Sequence, residues 1–312
     1  GVSVKRLPWG SDDVNCPEPI ASLSFPTATI GYLLLTNGDI MQTQDGGDSW
    51  RRQTPAPGSQ TLGGAAAVAD IAFTSATAGV ISVGNQIFYS SDSGSSWTPV
   101  KTVDGSLVHF EFTSAAQGYA VGSNSSMYAT TDGGATWAAV PSDGATNAAV
   151  IGSLGCSSTT TCLAATADGS RILRTTDSGA TWASLTASSR PIFGVGFTSA
   201  THAIAVGAGG ATVSTDDAGI NWASLTSEAL GVLNAVHVDN ATSAVLFGDG
   251  TSLARTTDAG ASFKTITTLA SGKVKDATFA TAQRGYVLDS RNQLTRSDDG
   301  GITWKVLDLG DE

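Results

Sequence analysis

Apolar and polar side chains alternate along Leu107-Val108-His109-Phe110-Glu111-Phe112, which is the pattern of a half-buried strand. Thr113 to Gly118 breaks it with small and polar residues, and Tyr119-Ala120-Val121-Gly122 follows as a short apolar strand. After a turn at Ser123 to Ser126 comes a third strand, Met127-Tyr128-Ala129-Thr130, and after another turn a fourth, Trp137-Ala138-Ala139-Val140. The best-kept part of this plan is Thr130-Thr131-Asp132-Gly133-Gly134-Ala135-Thr136-Trp137. It recurs at Thr43 to Trp50, Ser90 to Trp97, Thr175 to Trp182, Thr215 to Trp222, Thr256 to Phe263 and Ser297 to Trp304, at intervals of 40 to 47 residues. A repeat near forty residues marks an array of identical supersecondary units. Seven units of four antiparallel strands predict an all-β, seven-bladed β-propeller.

The repeated turn, between strands three and four, places Asp45, Asp92, Asp132, Asp177, Asp217, Asp258 and Asp299 in equivalent positions. An Asp in a tight turn accepts hydrogen bonds from nearby backbone N–H groups. The Gly two residues later can take a positive φ, and the aromatic residue is expected to open the next strand. These carboxylates therefore read as turn-holding groups. As catalytic or metal-binding groups they would lie too far apart around a ring.

Residues 1–18 precede the first unit and read as an arm packing on the ring, with 19–312 forming the propeller as one domain. Spacing from the first-strand Phe to the Asp is nearly fixed, and length varies between strand four and the next strand one, chiefly at Gln53 to Gly64 and Pro141 to Asn147. Variable loops on a fixed scaffold are common carriers of function. One face of the first strands is small or polar, and sheet twist is expected to turn it toward the central channel. Asp70, His109, Glu111, His237 and Asp276 would then gather near one axis, where they suit a cation or a small polar ligand. A water-filled channel is the plainer reading of the same residues.

Composition narrows the classes. With 41% hydrophobic and 14% charged residues the chain is globular, and no apolar run reaches the length of a membrane-spanning helix. A net charge of −11 argues against general nucleic-acid binding. Nothing in the sequence calls for a cofactor, and three cysteines alone do not complete a zinc site. Cys156 takes the Phe position of unit four and Cys162 the position of Gly118, so they face each other across one hairpin. Two readings stay open: a disulfide, implying an extracytoplasmic compartment (secreted, periplasmic or cell surface), or two buried thiols. Cys16 has no role in either. Twelve of the 16 basic residues fall in 1–52 or 255–305 against eleven acids there, whereas 53–254 holds four against thirteen. In a closed ring these stretches adjoin, giving one basic sector suited to steering an acidic partner. Arg51, Arg52, Lys273, Lys275 and Arg291 are its candidate contacts.

The repeated turn resembles the Asp box, or bacterial neuraminidase repeat. With the preceding stretch Phe112 to Gly122, and its looser forms at Phe73 to Gly84, Phe197 to Gly207 and Phe279 to Leu288, the chain resembles the photosystem II stability/assembly factor-like family. That resemblance implies a propeller without catalysis that docks a protein partner, a membrane-associated one among the options, through an arginine-rich surface. Its Asp boxes would lie on the face opposite the ligand, and a monomer is expected. Two alternatives remain: a glycan-binding module and a sialidase-like glycoside hydrolase. Lys5-Arg6-Leu7-Pro8 superficially matches the sialidase Arg motif. However, all five Tyr fall on repeat strands, only four Glu exist, and no facing acid pair can be named.

Overall fold

The computed structural model describes residues 19–53, 68–122, 126–140, 151–166, 169, 171–225, 231–238, 240–249, 252–268 and 273–307. The expected arm at 1–18, Cys16, and most of the two long connections lie outside these residues. Seven four-stranded antiparallel sheets are present, each built from consecutive strands in simple meander order. The fold is the seven-bladed propeller that the repeat predicts. The innermost strands are Ile20–Ser24, Val68–Phe73, Leu107–Phe112, Ile151–Cys156, Ile192–Phe197, Leu233–Val238 and Val274–Phe279.

Burial explains the pattern. The second strand of every blade is buried along its whole length, because neighbouring blades cover both faces of the sheet. The hydrophobic clusters accordingly straddle the seams: Leu33, Leu35 and Trp50 of blade one pack with Tyr286, Leu288 and Leu294 of blade seven. Across each inner strand pair, bulk is complementary. Phe73, Phe112 and Phe279 pair with Gly79, Gly118 and Gly285. A Cβ on Gly118 would lie 2.6 Å from the Phe112 ring, so only Gly fits beneath it. The same ring meets the turn tryptophan edge-on, as in Phe112–Trp137 at 6.1 Å and 73°. Blade four keeps the register with a different chemistry: Cys156 pairs with Cys162, Cα atoms 4.1 Å apart, and the two form a disulfide.

Strand four differs from the sequence expectation. It begins one residue later, at Ala138 in blade three, and is only two residues long in blades one, five and seven. The turn aromatic belongs to the turn: Trp137 folds back so that its Nε1–H donates to Gly134 O at 3.0 Å. The same bond occurs at Trp182, Trp222 and Trp304.

Candidate functional site

The seven Asp turns are self-contained. In blade three, Asp132 Oδ1 accepts from Thr136 N and Thr130 Oγ1, both at 2.8 Å, and Oδ2 accepts from Thr136 Oγ1 at 2.6 Å. Thr130 Oγ1 in turn accepts from Gly134 N at 2.9 Å. Equivalent bonds form at the other six. These bonds favour the ionised carboxylate and hold all seven pKa values low. The hydroxyl four residues on is the largest cause at Asp92, Asp177, Asp258 and Asp299. At Asp217 it is the Asn221 N–H. At Asp45 and Asp132 the largest influence is burial acting the other way, which the bonds outweigh. The residue after each Asp also takes a positive φ, even where it is Ser93, Ser178, Ala218 or Ala259. Its carbonyl is thereby turned outward, and in three seams an arginine of the preceding blade takes it: Arg174 to Ala218, Arg255 to Gly300 and Arg296 to Gly46. The turn is thus also a joint between blades, which local sequence does not reveal.

The inner strands carry the channel groups. An inner strand is a sheet edge, and its outward N–H groups need acceptors from elsewhere. Side chains of the preceding blade provide them. Ser24 Oγ accepts from Phe73 N at 2.9 Å, Ser153 Oγ from Val195 N at 3.3 Å and His237 Nε2 from Phe279 N at 3.1 Å. Where the position is Gly the backbones close directly: a Cβ on Gly194 would lie 2.8 Å from Ala235 Cα.

Asp70 is the most engaged of the channel candidates. Its Oδ1 accepts from Ser22 Oγ at 2.7 Å and Ile71 N at 2.9 Å. Its Oδ2 accepts from Phe110 N at 2.8 Å and lies 3.1 Å from His109 Nδ1. One carboxylate therefore stitches blades one, two and three. His109 Nε2 lies 3.7 Å from Glu111 Oε2. Burial alone would lower the His109 pKa, but the two carboxylates outweigh it and lift it to about 10. His109 is accordingly an imidazolium at neutral pH. His109, Glu111, His237 and Asp276 all line one channel cavity of about 440 Å³, together with Ser153 and Asn234. Burial, then the charge of Asp70, pushes Asp276 up to about 6 against smaller opposing effects of Ala277 N, His109 and Lys275. Among the described residues no cluster of three or more His, Cys, Asp or Glu is placed to hold a metal ion.

Four of the five basic candidates are engaged within the chain. Arg52 pairs with Asp39 at 2.5 Å, Arg51 reaches Gln42 Oε1 at 3.4 Å and Lys273 pairs with Asp249 at 3.3 Å. Lys275 donates to Ile20 O at 2.6 Å across the seam between blades seven and one. Arg291 is exposed in a second-to-third-strand turn. A division by face cuts across the sector read from the sequence. Among the described residues the Asp-turn face carries the seven turn carboxylates plus Asp48, Asp216 and Asp298, while Arg174, Arg255, Arg284, Arg296 and Lys305 are drawn into bonds on that side. Among the described residues the opposite half carries Arg52, Lys101, Arg171, Arg190, Lys273 and Arg291 against Asp39, Asp104, Asp249 and Asp289, of which Asp39 and Asp289 are buried, while Arg51, Lys264 and Lys305 open strand four just beyond the Asp turn. Arg171 and Arg190 flank a hollow of about 230 Å³ with Thr186, Ser188 and Ser189. The sequence reading passed over both because they fall in its acidic stretch.

Four-stranded blades, seven Asp turns on one face and polar stitching around a channel define a seven-bladed Asp-box propeller. Residues 2–107 and 100–248 match the family described as photosynthesis system II assembly factor YCF48, and 295–306 match the BNR/Asp-box repeat. The chain belongs to that YCF48 assembly-factor family. No curated protein matches its sequence. Among solved structures it is similar to a YCF48 bound to a D1 peptide, with a TM-score of 0.73 and 19% identity over 94% of this chain and 93% of the other. It is also similar to YCF48 from Cyanidioschyzon merolae, with a TM-score of 0.69 and 18% identity over 95% and 96%. The Niastella koreensis GH74 enzyme shares the fold less closely, with a TM-score of 0.50 and 14% identity, this chain covering 65% of it.

Proposed function

We propose that this propeller docks a partner protein through the face opposite its Asp boxes and performs no chemistry itself. The uneven charge of the two faces carries the reading: in a chain of net charge −11, the described residues opposite the Asp boxes include Arg52, Lys101, Arg171, Arg190, Lys273 and Arg291 against four acids, two of them buried, while ten carboxylates stand on the Asp-turn side. Family membership supports docking, as does a similar propeller having been solved with a peptide bound. Asp70 and the seven turn carboxylates fit it too, being engaged by their own scaffold. The partner segment that suits this face is acidic, and a membrane-associated partner and an extracytoplasmic site belong to the same reading. The Cys156–Cys162 disulfide supports an oxidising compartment.

Fluorescence anisotropy with a labelled D1 peptide tests this. Arg291→Glu and Arg171→Glu are expected to weaken binding at least tenfold, and Asp258→Ala on the other face to leave it unchanged. Binding that survives both arginine reversals in folded protein removes the assignment of the face.

A further inference from the structure

Blades six and seven carry the same pair of cations beside their Asp turns. Arg255 stands opposite Lys264, and Arg296 stands opposite Lys305, each pair linking strand three to the first residue of strand four. The other five blades have no Arg–Lys pair at these positions. Both arginines reach into the Asp turn of the next blade, Arg255 at Gly300 O and Arg296 at Gly46 O.

The turns that the two pairs meet differ at one residue. Between blades seven and one, the turn brings Asp48, three residues after Asp45. Its Oδ1 lies 3.0 Å from Arg296 Nη1 and 3.2 Å from Lys305 Nζ, so one carboxylate serves both cations. Between blades six and seven the equivalent residue, three after Asp299, is Ile302, which is 76% exposed. Among the described residues no carboxylate pairs with Lys264. Arg255 is held in place by Gly300 O, by Ala282 O at 3.1 Å and by the Phe279 ring, 4.7 Å from its Cζ.

This seam also opens a cavity of about 720 Å³, bounded by Arg255, Phe263, Lys264, Ile266, Gln283 and Ile302. That volume falls in the usual range for small-molecule sites, roughly 300–1,000 Å³. Phe263 contributes to the opening, being the one turn aromatic that is not Trp and so a smaller ring. The turn carboxylates Asp258 and Asp299 stand nearby, but their oxygens are taken by Thr256, Ser262, Ser297 and Thr303. The equivalent Asp45 and Asp299 do not keep Asp48 from its cations one seam further on.

We propose that the seam between blades six and seven binds a carboxylate carried beside an apolar group. Lys264 receives the carboxylate next to the guanidinium of Arg255, and the apolar part packs on Phe263 and Ile302. The ligand thereby supplies the charge that Asp48 supplies at the neighbouring seam. The carboxylate comes on a small free acid or on an acidic side chain of a partner; the chemistry at the site is the same. The site lies on the Asp-turn side, so it stands or falls separately from the docking face described above.

Backbone-amide NMR titration with sodium phenylacetate, and with phenylacetamide as the neutral counterpart, tests this. The acid is expected to give saturable shifts at Lys264 and Ile302, weakened at least tenfold in Lys264→Met, and the amide to give none. Ile302→Asp, which rebuilds the arrangement of Asp48 inside the chain, is expected to abolish binding; both positions are exposed, so both variants are expected to fold. A capped Glu-Phe dipeptide separates the sources: tighter binding than phenylacetate assigns the site to a partner's side chain, and weaker binding assigns it to a free acid. Equal binding of acid and amide, unchanged binding of the acid in Lys264→Met and Ile302→Asp, or no binding of either carboxylate overturns the proposal.

Discussion

Tyr286 of the last blade lies flat against Phe25 of the first, ring centroids 3.6 Å apart and planes 14° apart. Its hydroxyl continues across the seam to Gly46 O at 3.0 Å. Tyr32 and Phe73 repeat the stack between blades one and two at 3.5 Å and 3°. Among the described residues each sheet is made of consecutive strands, and side chains join blades seven and one: this stack, Arg296 and Lys305 on Asp48 at 3.0 and 3.2 Å, and Arg284 on Ala28 O at 2.9 Å. Tyr286→Ala is expected to cost about 3–5 kcal/mol, the range for buried aromatics. Tyr286→Phe, which loses only the hydroxyl bond, is expected to cost about 1 kcal/mol. Urea denaturation checks both. A Tyr286→Ala loss no larger than that of the exposed Thr98→Ala would show that the seam is held by something else.

Acid should loosen all seven blades together. The turn carboxylates have folded pKa values depressed below 3.8, to about 2 for Asp217 and Asp299. A depressed acid stabilises the fold above its unfolded pKa and loses that contribution as pH falls through the folded value. The melting temperature is expected to fall steeply between about pH 4 and pH 2. A single turn variant, Asp132→Ala, should soften that acid limb slightly and lower stability at neutral pH. A flat melting profile across this window would contradict the carboxylate role.

Asp276 has the opposite sign. Its folded pKa stands above 3.8, at about 6, so ionising it costs stability as pH rises through that value. Asp276→Asn is expected to melt higher than wild type at neutral pH, by an amount bounded at about 3 kcal/mol, with no gain in acid. Thermal scans at the two pH values decide it, and an equal effect at both would place the cause in packing rather than charge.

The disulfide stands in blade four where blades one, two, three and seven place a ring over a glycine. Closing so short a loop is expected to contribute about 2–3 kcal/mol. Melting scans with and without reductant should show that difference in wild type and none in Cys156→Ser. Identical curves in wild type would mean the bond is unnecessary to the blade.

Much of this fold was legible because its signals are local. The Asp132–Thr136 turn, the Phe112–Gly118 pairing and the Cys156–Cys162 register follow from spacing within one hairpin, and all recur or vary in step along the chain. The polar face of the inner strands was also readable, since strand side chains alternate. What stayed hidden is relational. Nothing near Asp70 in sequence announces Ser22 as its partner, 48 residues away, and nothing distinguishes Asp70 from Asp276 until the seams are seen. The basic residues misled in the same way: Lys275 and Arg52 read as surface contacts, yet their partners sit in another blade or in the second-to-third-strand turn. Arg171 and Arg190 were missed because charge counted along the chain averages over two faces that the ring separates.

Because each blade is a contiguous stretch of chain, the order of blades in the gene is not fixed by the ring. Joining the end of blade seven to the start of blade one and cutting at another inter-blade connection leaves all seven sheets, and every seam contact, intact. The same disc can in principle be opened and re-threaded at any of its joints, so new termini can be placed on whichever connection an attached domain or a tether requires.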